Sequence, residues 1–347
     1  MIYEIEEARE KILEACREMK RANLIARTWG NVSARISDKE FLITPSGKDY
    51  DEMTGEDLVK VRIRDEKWEG DLKPSSEKGM HARLYRRRPQ CDFIIHTHQT
   101  NASALSIFPE DLKLTGMQDN LVTEEERELL GTIVPCAEYG LSSTAKLARA
   151  VAYQAKINPD CRAILMRFHG AVCMGADEQE AMAVAKALEA VCERIYEKRC
   201  GEKILTEGGI SFSREWQDGW LVHTRTPYVM EMSRRGKTLK PYLDDMAQIG
   251  GLSIPCVRSL PSGKEVRKAL KGRNAVLIRG DGALCYAAEK EEAEAVAIVL
   301  EKNCRAANLG LKKAAPSVPA ISARTERSFY VKKYSKLKNS KGQEEEE

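Results

Sequence analysis

Over residues 4–23 apolar positions recur at helical spacing, with Ile5, Ala8, Ile12, Ala15, Cys16 and Met19 set among i,i+4 charge pairs; the chain opens on an amphipathic helix. "NVSARIS" and "EFLITPSG" then read as a short β-hairpin, with Ser37 and Asp38 near its turn and Pro45 and Gly47 ending its second strand. A helix follows in "SSEKGMHARLYRR". Ser75, just after Pro74, is its expected N-cap, its apolar stripe is Met80, Ala82, Leu84 and Tyr85, and Pro89 stops it. Next come the strand "CDFIIHTH", a helix from about Asn101, a long connection, the helix "TAKLARAVAYQAK", the strand "RAILMRFHG" and the helix "EQEAMAVAKALEAVCERIYEK". This alternation predicts an α/β fold, a sheet covered by helices.

The pattern then repeats. "WLVHTRTPYVMEMSRRG" echoes "FIIHTHQTNASALSIF", "GGLSIPC" echoes "GTIVPC", and "RNAVLIRGDGALCYAAEKEEAEAVAIVLEKNC" echoes "CRAILMRFHGAVCMGADEQEAMAVAKALEAVC". Three matched blocks in one order indicate a duplication of the back half of the first domain. The expected organisation is a first domain over 1–205, a smaller repeat over 206–311 and a partly mobile tail over 312–347. In that tail "RSFYVKKYSK" keeps three aromatic residues able to dock.

Composition narrows the function. The 347 residues are 42% hydrophobic, enough for a real core, and 56 basic against 53 acidic residues leave a formal charge of +3. That balance argues against nucleic acid or a membrane surface as partner. No apolar run approaches the roughly 20 residues that span a bilayer, and the charged N-terminus is unlike a signal peptide, so a cytoplasmic protein is expected. The ten cysteines include no CxxC and are scattered through predicted elements, as buried free thiols would be.

The chemistry is carried by a few of the remaining polar residues. The chain has five histidines, and two of them, His96 and His98, end an apolar strand. At i and i+2 they project to one face, about 7 Å apart at Cα, which lets two imidazoles reach one metal ion. His169 ends another apolar strand, before a glycine that allows close approach. Three histidines at two strand ends match the composition of a catalytic zinc site with an open position. Glu77 lies in the first turn of a predicted helix beside Ser75 and Ser76, where free N–H groups favour anions. "TWGNVS" and "TPSG" offer further hydroxyl, amide and glycine groups.

Taken in order and spacing, "GNVSAR", "FLITPSGKDYDEMTGEDLV", "KPSSEKGMH", "IIHTH" and "RFHGAVCMG" resemble the class II aldolase/adducin family over roughly residues 5–200. The resemblance implies a central, mainly antiparallel sheet covered by helices, a homo-oligomer, and a small phosphorylated sugar as substrate. By the same resemblance His96, His98 and His169 bind a divalent metal, usually zinc, with manganese or another ion as alternatives. Glu77 ligates the resting metal and acts as acid/base. Asn31, Ser46, Gly47, Ser75 and Ser76 hold the substrate phosphate.

The implied reaction is aldol cleavage of a ketose phosphate to dihydroxyacetone phosphate and an aldehyde through a metal-stabilised enediolate. Epimerisation, decarboxylation and dehydration are its alternatives within the family, and an adducin-like interaction module lies outside them. Related 4-epimerases carry Asp at the position of Glu77, which favours the other reactions. The family's aldolases also use tyrosines, one from a neighbouring subunit and one in the tail. "DLKLTGMQDN" has none, and Tyr330 and Tyr334 are tail candidates by position. In the repeat, His223, Arg225 and Asp281 stand for His96, His98 and His169. Arg225 cannot ligate a cation, so the copy is expected to be metal-free.

Overall fold

The computed structural model describes residues 2–25, 29–201, 204 and 208–344, with side chains through residue 332. Contacts divide the chain into two units, Met1–Gly201 and Glu202–Glu347.

The first unit runs α1 (Ile5–Arg21), β1 (Gly30–Arg35), β2 (Glu40–Ile43), a 3-10 turn, β3 (Val59–Arg62), α2 (Lys78–Arg87), β4 (Phe93–Thr97) and α3 (Thr100–Leu105). It continues with β5 (Leu112–Lys113), α4 (Glu124–Leu130), β6 (Ile133–Val134), β7 (Cys136–Ala137), α5 (Ala145–Ile157), β8 (Ala163–Met166), β9 (Gly170–Gly175) and α6 (Glu178–Cys200). In α1 the buried side is Ala8, Ile12, Ala15, Cys16 and Met19, the stripe read from the sequence, and acidic first-turn and basic last-turn residues suit the helix dipole.

Seven strands form one sheet in the order β3-β2-β1-β4-β9-β8-β7. Every pair is antiparallel except β7 with β8, so the expected mainly antiparallel α/β sheet is present. The histidine strand β4 is central. It pairs with β1 and β9 and is buried on both faces, which explains its unbroken apolar run. The two histidines therefore lie at the end of a middle strand, as their place at the end of an apolar run implies.

Helices α2 and α5 cover one face, packing Met80, Leu84, Tyr85, Leu147 and Val151 against Phe41, Ile43, Ile94, Ile164 and Val172. Each such buried side chain contributes about 1.5–3 kcal/mol. Buried Arg35 ties the C-terminal end of α2 to the sheet: it pairs with Asp92 at 2.9 Å and donates to the carbonyls of Tyr85, Arg88 and Cys91. The start of α2 differs from expectation. Its N-cap is Glu77, not Ser75, because Ser75 is engaged in a preceding turn in which its carbonyl accepts from Lys78 N–H.

The second unit runs β10 (Ile210–Trp216), β11 (Gly219–Thr224), α7 (Pro227–Arg235), α8 (Asp244–Ile249), β12 (Cys256–Val257), α9 (Gly263–Leu270), β13 (Ala275–Ile278), β14 (Gly282–Ala287), α10 (Lys290–Lys313) and α11 (Ala320–Glu344). Its sheet, β10-β11-β14-β13-β12, repeats the order β1-β4-β9-β8-β7, again with the one parallel pair at its end. The duplication thus includes a counterpart of β1, a strand more than the matched sequence blocks reveal. The stretch expected to be a tail contains α11, in which Arg327 donates to the Gln248 and Ile249 carbonyls and Tyr330 to Glu292. Among the described residues no helix is long and apolar enough to cross a membrane, and all ten cysteines are free.

Candidate metal centre

His96 is the last residue but one of β4, opposite Asn31 on β1 and Val172 on β9. Its fully buried ring has Nδ1 2.9 Å from the Ala171 carbonyl. A carbonyl only accepts, so Nδ1 carries the proton and Nε2 presents a lone pair. His98, just beyond the strand, brings its Nε2 to 3.1 Å from that atom, and its ring lies 6.2 Å from the Trp29 ring.

His169 arrives from the turn joining β8 to β9. Its N–H donates to the Met166 carbonyl, and Phe168 before it takes a left-handed φ of 62°. A bulky residue there stores about 1–3 kcal/mol of strain, a cost tolerated where the surroundings require that turn. Gly170 after it is obligatory, since a Cβ would lie 2.2 Å from the Thr97 carbonyl oxygen. The His169 ring stacks on that of His96 at 5.1 Å and 7°, with the two Nε2 atoms 3.2 Å apart.

Glu77 closes the group. Its Oε2 is 3.1 Å from His96 Nε2 and its Oε1 is 3.4 Å from His169 Nε2. Burial by itself pushes the Glu77 carboxyl up, but His96, His169 and His98 outweigh it and hold the group well below the usual carboxylate range. Three ring nitrogens and an ionised carboxylate thus face one point, and the Nε2 of His96 has no proton to share with the others. Such a donor set calls for a cation. The Nε2 spacings of 3.1 and 3.2 Å fit the edge of about 3.3 Å expected for a tetrahedral ion bonded at 2.0–2.1 Å. Among the described residues, His96, His98 and His169 are the group whose ligand atoms gather closely enough to hold a metal.

The loops carrying the other expected residues are joined. Pro45 bridges to Pro74, Ser46 N–H donates to the Lys73 carbonyl, and Ser75 N–H donates to the Thr44 carbonyl. This brings Ser46, Gly47 and buried Ser75 together. Ser76 is exposed and turns its hydroxyl to Ser143, 2.7 Å away. Asn31 is buried, and both ends of its amide are used: Nδ2 donates to Glu77 Oε2 at 3.0 Å and Oδ1 meets His81 Nε2 at 2.5 Å. Tyr330 is engaged with Glu292, and the side chain of Tyr334 lies outside the described residues.

The sequence places neither His81 nor Ser33 at the site, and Tyr85 only in the apolar stripe of its helix. Ser33 Oγ lies 2.7 Å from both His81 Nδ1 and the Tyr85 hydroxyl, which links these three to Asn31 and Glu77. Burial, with His96 nearby, pushes His81 down to about 3, so the ring is neutral. The only trace in the sequence is spacing within each element. Asn31 and Ser33 are i,i+2 on β1, and Glu77 and His81 are i,i+4 at the start of α2, so each pair shares a face.

The chain matches the class II aldolase and adducin N-terminal domain over residues 10–196 and again over 216–308. It belongs to the class II aldolase/adducin family. Within that family it is 32% identical over 197 residues to the methylthioribulose-1-phosphate dehydratase of Enterobacter sp. (strain 638), covering 56% of this chain and 96% of that one. It is 31% identical over 183 residues to the L-fuculose phosphate aldolase of Haemophilus influenzae, covering 53% of this chain and 79% of that one. Among solved structures, an L-fuculose 1-phosphate aldolase matches with a TM-score of 0.49 at 27% identity, over 58% of this chain and 90% of that one. As a class II aldolase-family chain it matches the family domain once over most of the first unit and again over a shorter stretch of the second, and the metal-binding cluster lies in the first match.

Proposed function

We propose that the protein is a metal-dependent dehydratase of a small ketose 1-phosphate, of the type named in its methylthioribulose-1-phosphate dehydratase relatives. The observation that supports it most directly is the ionised Glu77 carboxylate held against three convergent imidazoles. His96, His98 and His169 would hold a divalent ion, Zn2+ by donor type, with Glu77 completing the set. When bound, the ion supplies a Lewis acid that stabilises negative charge on a substrate carbonyl oxygen.

Glu77 is suited to take the proton from the carbon next to that carbonyl, and loss of the neighbouring hydroxyl as water completes the elimination. Asn31 holds Glu77 Oε2 during that exchange. Gly47 and the serines at 46, 75 and 76 would bind the phosphate through N–H and O–H donors, each worth about 1–3 kcal/mol to a charged group. Trp29, next to His98, bounds the site on one side.

Aldol cleavage is the second reading, favoured by the similarity to L-fuculose phosphate aldolases. The lack of a tyrosine in "DLKLTGMQDN" counts against it. Metal-loaded protein incubated with methylthioribulose 1-phosphate and, separately, L-fuculose 1-phosphate separates the two by product. The expected outcome is a diketone phosphate from the first and no cleavage of the second. Release of dihydroxyacetone phosphate from the second alone would transfer the assignment to aldolase.

A further inference from the structure

Five buried groups form one hydrogen-bond chain behind the metal centre: Tyr85, Ser33, His81, Asn31 and Glu77. Its direction is set at the far end. The Tyr85 phenol is buried and has Ser33 as its hydrogen-bond partner among the described residues, while Arg35 lies over its ring at 4.8 Å. A buried phenol O–H must donate, so Ser33 Oγ accepts it. Ser33 then gives its own proton to His81 Nδ1. With Nδ1 accepting, the neutral ring carries its proton on Nε2 and donates to Asn31 Oδ1. The amide is thereby turned so that Nδ2 donates to Glu77 Oε2, and every donor in the chain points toward the carboxylate.

We infer that His81 is a positioning residue, which fixes the Asn31 amide so that Glu77 Oε2 is held and Oε1 is left to meet substrate. The inference rests on the reading of Glu77 as the acid/base. Turned the other way, the amide would set Oδ1 against Oε2, two acceptors in contact in a buried site, and the carboxylate would swing away. His81 touches no expected metal-binding ring in this chain of bonds. Its removal acts through Asn31 on the placement of Glu77, so it is read in turnover before it is read in binding.

The chain has five histidines, so protein grown with 15N-histidine gives a side-chain spectrum simple enough to assign, with His81→Gln identifying the His81 signals by their loss. At neutral pH the expected tautomer of His81 is Nε2–H; an Nδ1–H ring or an imidazolium would overturn the inference. In parallel, His81→Leu is expected to lower kcat about 10–100-fold, the usual cost of losing such a supporting partner, with KM little changed and metal content retained. His81→Gln keeps an N–H donor and should recover most of the rate. Equal losses in both variants, or a change in KM alone, would contradict a positioning role. Full turnover in Glu77→Gln would instead remove the acid/base reading and leave the tautomer result standing.

Discussion

The two units carry the same scaffold with different polar residues set into it. In the first, His96 pairs with Val172, three residues after His169; in the second, His223 pairs with Leu284, three residues after Asp281. Gly170 and Gly282 each follow that position, and a Cβ on either would lie 2.2 Å from a carbonyl oxygen, of Thr97 or of Thr224. Glu189 accepts from the first N–H groups of the helix after β4, at 2.7 and 3.1 Å, and Glu301 does the same for α7, at 3.0 and 2.9 Å. Ser106 and Ser233 make the same 2.8 Å bond back to a carbonyl three residues earlier.

The donors have changed. His223 Nε2 bonds to the Asp281 carbonyl, and Arg225 pairs with the Asp281 carboxylate at 3.6 Å with both side chains about half exposed. Phe212 stands opposite His223 where Asn31 stands opposite His96, and its ring stacks on the imidazole at 5.2 Å. Even the strained turn has relaxed: Gly280, at φ 73°, holds the place of Phe168. Backbone packing demands the glycines and the helix-capping carboxylates, so they survive duplication. Nothing in the fold itself demands three imidazoles and a glutamate at one point, which is why their presence in the first unit reads as function.

The harshest way to break the comparison is to import the second unit's residue into the first. His98→Arg removes a ligand and adds a fixed positive charge, and is expected to cost metal and at least about 100-fold in activity, since even an outer supporting partner costs 10–100-fold. Elemental analysis and turnover check it together. Glu77→Gln keeps the three imidazoles and should retain much of the metal while losing about 10²–10⁴-fold in turnover, the range for a positioned acid/base. A variant with undiminished rate would remove Glu77 from the chemistry. The smallest effect is expected in the second unit. His223→Ala gives up a hydrogen bond worth about 0.5–1.5 kcal/mol and should lower the thermal midpoint slightly with metal and activity unchanged.

Much of this site was legible because its residue types are rare in their settings. Two histidines closing an apolar strand and a third before a glycine have few structural reasons to exist, and the first helix announces itself through its stripe. Less legible were features set by tertiary pairing. β10 gives little sequence signal, being mostly exposed along its length, and emerges as the counterpart of β1 through its pairing with β11. The start of α2 depends on a turn at Ser75 whose backbone is tied to Thr44 beside the bridge between Pro45 and Pro74, a pairing distant in sequence. The resemblance placed Asn31 with the phosphate residues, and its contacts to His81 and Glu77 had no signal of their own in the sequence. The chain through His81 joins residues about fifty positions apart, beyond the reach of any local pattern.

Elemental analysis of the purified, metal-saturated chain, with His96→Ala and His223→Ala alongside, tests the contrast between the units most directly. One divalent ion per chain is expected in the native protein and in His223→Ala, and none in His96→Ala. Two ions per chain, or one that persists in His96→Ala and leaves in His223→Ala, would contradict it.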